Sequence, residues 1–333
     1  ASATMAPPIP STSWIRLSRA DSSWIALRRA APSRTELNRR ALATAIAIWL
    51  AMPAASAQSG SGQRPARDRD LFVTVTDDKG TPVTDLRPQE FVIREDGMRR
   101  EVLSAQRATE PVTIALMVDN SQFTEPYLGD IRRALKTFVE RMGGKHPMAV
   151  TTVAERPTIL VDYTLDKKAL LAATERVFPI PNSGSTFLEG LRELSKGLAG
   201  REAERAAIVA ITAEGPELSD RHFTEVLPTL RTSGASLEVL VITRPGGADM
   251  GEEGARNRAF LIDAGSRETG GGRVDLLTSM SLGPALERLA AQLENQYRVT
   301  YARPESLIPP EKIEASVTRP GLSARGTPAR TIR

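Results

Sequence analysis

The stretch Val112-Thr113-Ile114-Ala115-Leu116-Met117-Val118, which runs straight into Asp119-Asn120-Ser121-Gln122-Phe123, decides how the rest of the chain reads. A continuous apolar and β-branched run closed by an abrupt polar turn fits a strand covered on both faces, as in a parallel sheet held between helices. Three more such runs follow: Ala149 to Val153, Ala206 to Ile211 and Leu237 to Ile242. Helical stripes separate them. Leu128, Ile131, Leu135, Phe138, Val139 and Met142 form one, entered through Thr124 and Pro126, residues suited to a helix start. Leu188, Leu191, Leu194 and Leu198 form a second, and Leu282, Leu286, Leu289 and Leu293 a third. Alternating strand and helix predict an α/β fold with a doubly wound, mainly parallel sheet over residues 109–295.

Outward from this block the pattern shortens. Phe72-Val73-Thr74-Val75-Thr76, the turn Asp77-Asp78-Lys79-Gly80, and Phe91-Val92-Ile93 before Glu95-Asp96-Gly97 read as β structure broken by turns. So few residues cannot bury a core alone. Beyond the block, Tyr297, Val299 and Tyr301 alternate, as do Ile313, Ala315 and Val317. Residues 71–108 and 296–325 are therefore expected to form one small β domain, with the α/β block inserted between its halves. Residues 58–70, rich in Gly, Ser and Gln at their start, read as a linker.

At the N-terminal side, Arg39-Arg40, the apolar run Ala41 to Met52, and Ala55-Ser56-Ala57 have the layout of a signal peptide cleaved after Ala57. Arg39-Arg40 also allows a twin-arginine reading. The run is shorter than the roughly 20 residues a membrane-spanning helix needs, so no stable membrane span is expected after cleavage. Residues 1–38 show no clear pattern. The net charge of +4 and pI of about 9.5 arise in this extension, because residues 1–57 hold seven Arg against two acids. The remainder is near neutral, which gives no basis for nucleic-acid binding.

The 333 residues include no cysteine, which removes disulfides, thiolate catalysis and Cys-ligated metals. His146 and His222 stand apart, outside any metal-ligand spacing. No Gly-x-Ser-x-Gly elbow or phosphate-binding glycine loop follows a strand. The acid pairs Asp77-Asp78 and Glu252-Glu253 read as solvated turns. Enzymatic activity is not expected.

Ligands of open α/β sheets sit beyond the carboxyl ends of the strands. There the sequence places Asp119-Asn120-Ser121, then Asn182-Ser183-Gly184-Ser185-Thr186, then Thr212-Ala213-Glu214-Gly215. These loops, with Thr76-Asp77-Asp78-Lys79-Gly80-Thr81-Pro82-Val83, Phe91 to Gly97, Glu268-Thr269-Gly270-Gly271 and the ending Ala285 to Tyr301, resemble the bacterial proteins related to von Willebrand factor A domains, over about Leu71 to Leu322.

The resemblance implies a metal-ion-dependent adhesion site: a divalent cation held by an Asp-x-Ser-x-Ser loop, a Thr from a second loop and an Asp from a third. Mg²⁺ wants six hard oxygens, and an incomplete protein shell leaves a position for a partner's carboxylate. Asp119, Ser121 and Thr186 match that pattern, as ligands for weakly bound Mg²⁺ or Mn²⁺. Phe123 stands where the second serine belongs, and Ala213 or Glu214 where the third-loop aspartate belongs, with Glu214 within reach of a metal-bound water. The alternative role for Asp119, Ser121 and Thr186 is local: closing loops and capping helices. The expected function is an exported, periplasmic or secreted, module for protein interaction or adhesion, binding a protein partner through Asp119, Asn120, Ser121, Ser185, Thr186 and Glu214 with weakened or lost cation dependence. The alternatives are a structural subunit of a cell-envelope assembly and, further off, a periplasmic hydrolase.

Overall fold

The computed structural model describes residues 66–201, 203–244, 252–304, 308 and 310–329. The chain opens with β1 (Ala66–Thr76), β2 (Phe91–Glu95), β3 (Met98–Arg100) and β4 (Val102–Arg107). Then come β5 (Thr113–Val118), α1 (Leu128–Met142), β6 (Met148–Val153), β7 (Pro157–Thr164), α2 (Lys167–Glu175) and α3 (Phe187–Gly200). β8 (Ala206–Ala213), α4 (Phe223–Ser233), β9 (Ala235–Ile242), α5 (Glu253–Glu268), β10 (Gly272–Leu276) and α6 (Leu282–Glu294) follow. β11 (Tyr297–Pro304), β12 (Ile313–Val317) and β13 (Ser323–Pro328) end it.

The central sheet has the order β10-β9-β8-β5-β6-β7 and is parallel except for β7, which runs antiparallel to β6 at one edge. Its four inner strands, β5, β6, β8 and β9, bury both faces. In β5, Ile114, Leu116 and Val118 pack with α1, α2 and α6, whereas Ala115 and Met117 pack with α3, α4 and α5. Each of the larger β5 side chains, fully buried, contributes about 2 kcal/mol relative to exposure. This two-sided burial is what the unbroken apolar run encoded.

The two flanks of this sheet in sequence meet in space. β1 lies between β11 and β13, antiparallel to both, in a four-stranded sheet of order β13-β1-β11-β4. A three-stranded sheet, β12-β2-β3, packs on it around Leu71, Val73, Phe91, Ile93, Tyr297, Val299 and Tyr301. Arg205 bolts this layer to the α/β layer. Its buried guanidinium donates to Gln296 Oε1 at 2.9 Å, to the Glu110 carbonyl at 2.8 Å and to the Leu293 carbonyl, and it lies 5.4 Å from the Phe72 ring centroid. Gln296 Nε2 passes the link on to Thr74 Oγ1. Burial lowers the Arg205 pKa to about 10.

Three boundaries differ from the sequence reading. β1 starts at Ala66, inside the stretch read as linker, because Asp70 is held in the sheet by Arg298 and by the Thr300 hydroxyl. α1 starts at Leu128, not at Thr124, because Gln122–Tyr127, with Pro126 inside it, forms a 3-10 turn first. Glu253 begins α5, with Glu252 extended just before it, in place of the expected turn. The signal-peptide segment and most of the linker lie outside the described residues. Among the described residues no helix is long and apolar enough to cross a membrane.

Candidate functional site

β5 is the first strand of the central sheet and sits in its middle, with β6 on one side and β8 on the other. The crevice at such a reversal of strand order is where α/β sheets bind ligands. Asp119 leaves the end of β5 there. Its Oδ1 accepts the Ser121 N–H at 2.9 Å, and its Oδ2 accepts the Thr212 hydroxyl, at the end of β8, at 2.7 Å. Thr124 N–H and hydroxyl both donate to the Ser121 carbonyl, which fixes the turn.

The second loop comes in from the β6 side. Ile180 N–H donates to the Asn120 carbonyl, and Asn120 Nδ2 donates to the Phe178 carbonyl at 2.8 Å. Ser185 Oγ donates to the Val153 carbonyl at 3.2 Å, and Thr186 N–H reaches the same carbonyl. Asp119, Asn120, Ser121, Ser185 and Thr186 are thus gathered at one end of the sheet. They are also buried, at 1%, 6%, 1%, 1% and 3% exposure, so the face expected to meet a partner is covered.

Capping does not account for the two hydroxyl residues. Ser121 precedes the 3-10 turn and Thr186 precedes α3, yet neither side chain makes a capping hydrogen bond. Thr186 Oγ1 and Asn120 Oδ1 are buried polar atoms without a hydrogen-bond partner, a costly state for buried oxygens.

Phe123, half-buried, packs against the third loop. Its ring lies against Gly215, where an added Cβ would come within 2.9 Å of Phe123 Cγ, and the Arg244 guanidinium sits 4.9 Å from its centroid. Glu214, from the third loop, does not turn to Asp119. Its Oε2 accepts the Arg244 N–H at 2.9 Å, while Ala213 is the buried last residue of β8. The donor set for a divalent cation is therefore one carboxylate, already accepting two hydrogen bonds, and two hydroxyls. Among the described residues no group of three or more His, Asp or Glu side chains converges. These residues do not fit the hard-oxygen shell that Mg²⁺ demands.

Two further residues behind the second loop carry no sequence signal. Glu217 Oε1 accepts the Leu188 N–H in the first turn of α3 at 3.4 Å, and the Ser219 N–H and hydroxyl at 3.2 and 2.5 Å. Its Oε2 has no hydrogen bond and lies 4.0 Å from Arg258 Nε. Burial raises the Glu217 pKa to about 7, against the pull of Arg258. Arg258 Nη2 donates to the Gly215 carbonyl, tying α5 to the loop that holds Phe123.

Residues 114–215 match the von Willebrand factor type A domain. The chain contains a von Willebrand factor type A domain. The matched span runs from β5 to the Gly215 turn and so takes in all three loops of the crevice. No curated protein matches the chain in sequence. Solved structures with similarity include BatB from Bacteroides thetaiotaomicron, at 15% identity over 55% of this chain and 100% of that one, with a TM-score of 0.42. A von Willebrand factor type A protein from Catenulispora acidiphila aligns over 80% of this chain and 72% of its own, at 10% identity and TM-score 0.45. Proximal thread matrix protein 1 from the mussel byssus, solved with a zinc-occupied MIDAS motif, aligns over 63% and 50%, at 16% identity and TM-score 0.47.

Proposed function

We propose that this protein is an exported protein-interaction module of von Willebrand factor A type whose adhesion site has weakened or lost its need for a divalent cation. One observation carries the reading. Phe123, where the second serine ligand belongs, is packed on Gly215 beneath Arg244, while Asp119 spends its carboxylate on Ser121 and Thr212. Export rests on the sequence around Arg39 to Ala57. The partner is a protein, and no catalytic step is assigned to the chain.

Calorimetric titration of the full chain with Mg²⁺ and Mn²⁺ tests this. Wild type gives no saturable heat, and Phe123→Ser, which restores a hydroxyl at the second serine position, gains a measurable response that Asp119→Ala abolishes. Saturable binding by wild type, lost in Asp119→Ala, would overturn the reading and restore cation-dependent adhesion.

A second reading is favoured by the burial of Asp119, Asn120, Ser121, Ser185 and Thr186. A closed crevice suits a structural subunit of an envelope assembly that docks elsewhere on its surface. The partner bound by wild type separates the two: an interaction module loses it on substitution of Phe123 or Arg244, and a structural subunit keeps it.

A further inference from the structure

β10 ends the central sheet, and among the described residues it pairs with β9 alone. In a strand, successive residues turn their N–H and C=O groups to opposite edges. The Leu276 carbonyl accepts the N–H of Thr243, just past β9. Gly272, Val274 and Leu276 therefore face β9, and Arg273 and Asp275 direct their peptide groups outward.

A cavity opens on each side of this edge. On the α5 side, about 260 Å³ is lined by Arg256, Phe260, Asp263, Arg267 and Arg273. On the α6 side, about 230 Å³ is lined by Val274 and Leu289, with Arg288, Arg325 and Glu238 around them. Phe260 and Val274, 53% and 43% exposed, give each cavity an apolar wall. The carboxylates present are already engaged: Asp263 and Asp275 with Arg273, and Glu238 with Arg325. Among the described residues, Arg267, Arg273, Arg288 and Arg325 stand here against Asp263, Asp275 and Glu238, which leaves the edge net positive.

We propose that the β10 edge is a docking site for an extended, acidic segment of a partner protein, which adds to the sheet as a further strand. Main-chain bonds to Arg273 and Asp275 hold it, and its side chains, alternating in direction, enter the two cavities in turn. The excess of guanidinium groups selects acids over bases.

Hydrogen exchange on the full chain, read by mass spectrometry, tests this with two short synthetic peptides, one alternating Glu and Val and the other Lys and Val. The Glu/Val peptide binds saturably, more weakly as salt is raised, and slows exchange at the amides of Arg273 and Asp275. The Lys/Val peptide does neither. Arg267→Glu with Arg288→Glu, which reverses two charges beside the edge, weakens binding by about tenfold or more. Asp275→Pro, which removes an outward N–H and leaves the β9 ladder intact, abolishes it while the melting transition persists. Equal binding of both peptides would overturn the proposal. So would slow exchange at these amides in the free chain, or a dimer through this edge in sedimentation, since either means that the edge is already occupied.

Discussion

Replacing Glu217 by glutamine is expected to remove a pH dependence from the stability of the fold. The Glu217 carboxyl is buried, and its pKa rises from an ordinary value of 4.5 to about 7. Folded protein thus holds a proton that the unfolded chain releases, and stability falls as pH rises through that interval. At about 1.36 kcal/mol for each tenfold change in proton affinity, the whole effect is about 3 kcal/mol. Most of it, about 2 kcal/mol or more, falls between about pH 5 and pH 8 on the same linkage. A glutamine at this position cannot titrate, so the unfolding free energy of wild type minus that of Glu217→Gln should fall by that amount across the range, as followed by urea denaturation. His146, whose pKa burial lowers, pulls the other way as pH rises, but it is common to both proteins and cancels in the difference. A difference that stays flat or rises with pH would refute the reasoning.

Two other substitutions test how the sheet and crevice are held. Gly190→Ala places a Cβ 2.3 Å from Val153 Cγ1 and 3.2 Å from Met117 Sδ, and the overpacking should cost about 1–3 kcal/mol despite alanine's better helix propensity; an unchanged calorimetric midpoint would count against the tight seat of α3. Thr212→Val removes the hydroxyl that Asp119 Oδ2 accepts at 2.7 Å, and a loss of about 1–3 kcal/mol is expected. In a double-mutant cycle with Asp119→Asn the two effects should be coupled by more than about 0.5 kcal/mol, and strict additivity would show that the bond does not contribute.

The middle of the central sheet was legible because two-sided burial writes itself as an unbroken apolar run. Its edges were not. β7, Pro-Thr-Ile-Leu-Val-Asp-Tyr-Thr, and β10, Gly-Arg-Val-Asp-Leu, mix charges with apolar residues because one side of each is open. α5 was hidden for a similar reason, since Arg258 is buried in it by a polar contact and Phe260 is exposed. At the crevice the sequence names Asp119, Ser121, Thr186 and the odd Phe123 from the order of motifs. What it lacks is depth. Thr212 reads as one more strand residue until its hydroxyl is seen on Asp119, and Glu217 reads as a surface acid until its burial is seen. No local pattern distinguishes Arg244 closing over Phe123 from an ordinary loop arginine.

The antiparallel pairing of β1 with β13 sets Leu71 opposite Pro328 and Thr76 opposite Ser323. The chain therefore enters one strand and leaves the other at the same end of the pair. Tension applied along the chain from both directions would load these bonds one after another, like the teeth of a zipper, instead of sharing the load among them as shear does. The Leu71–Pro328 rung would open first, and the sheet would peel before the parallel core bore any force. The outer layer would yield with the crevice beyond β5 still folded.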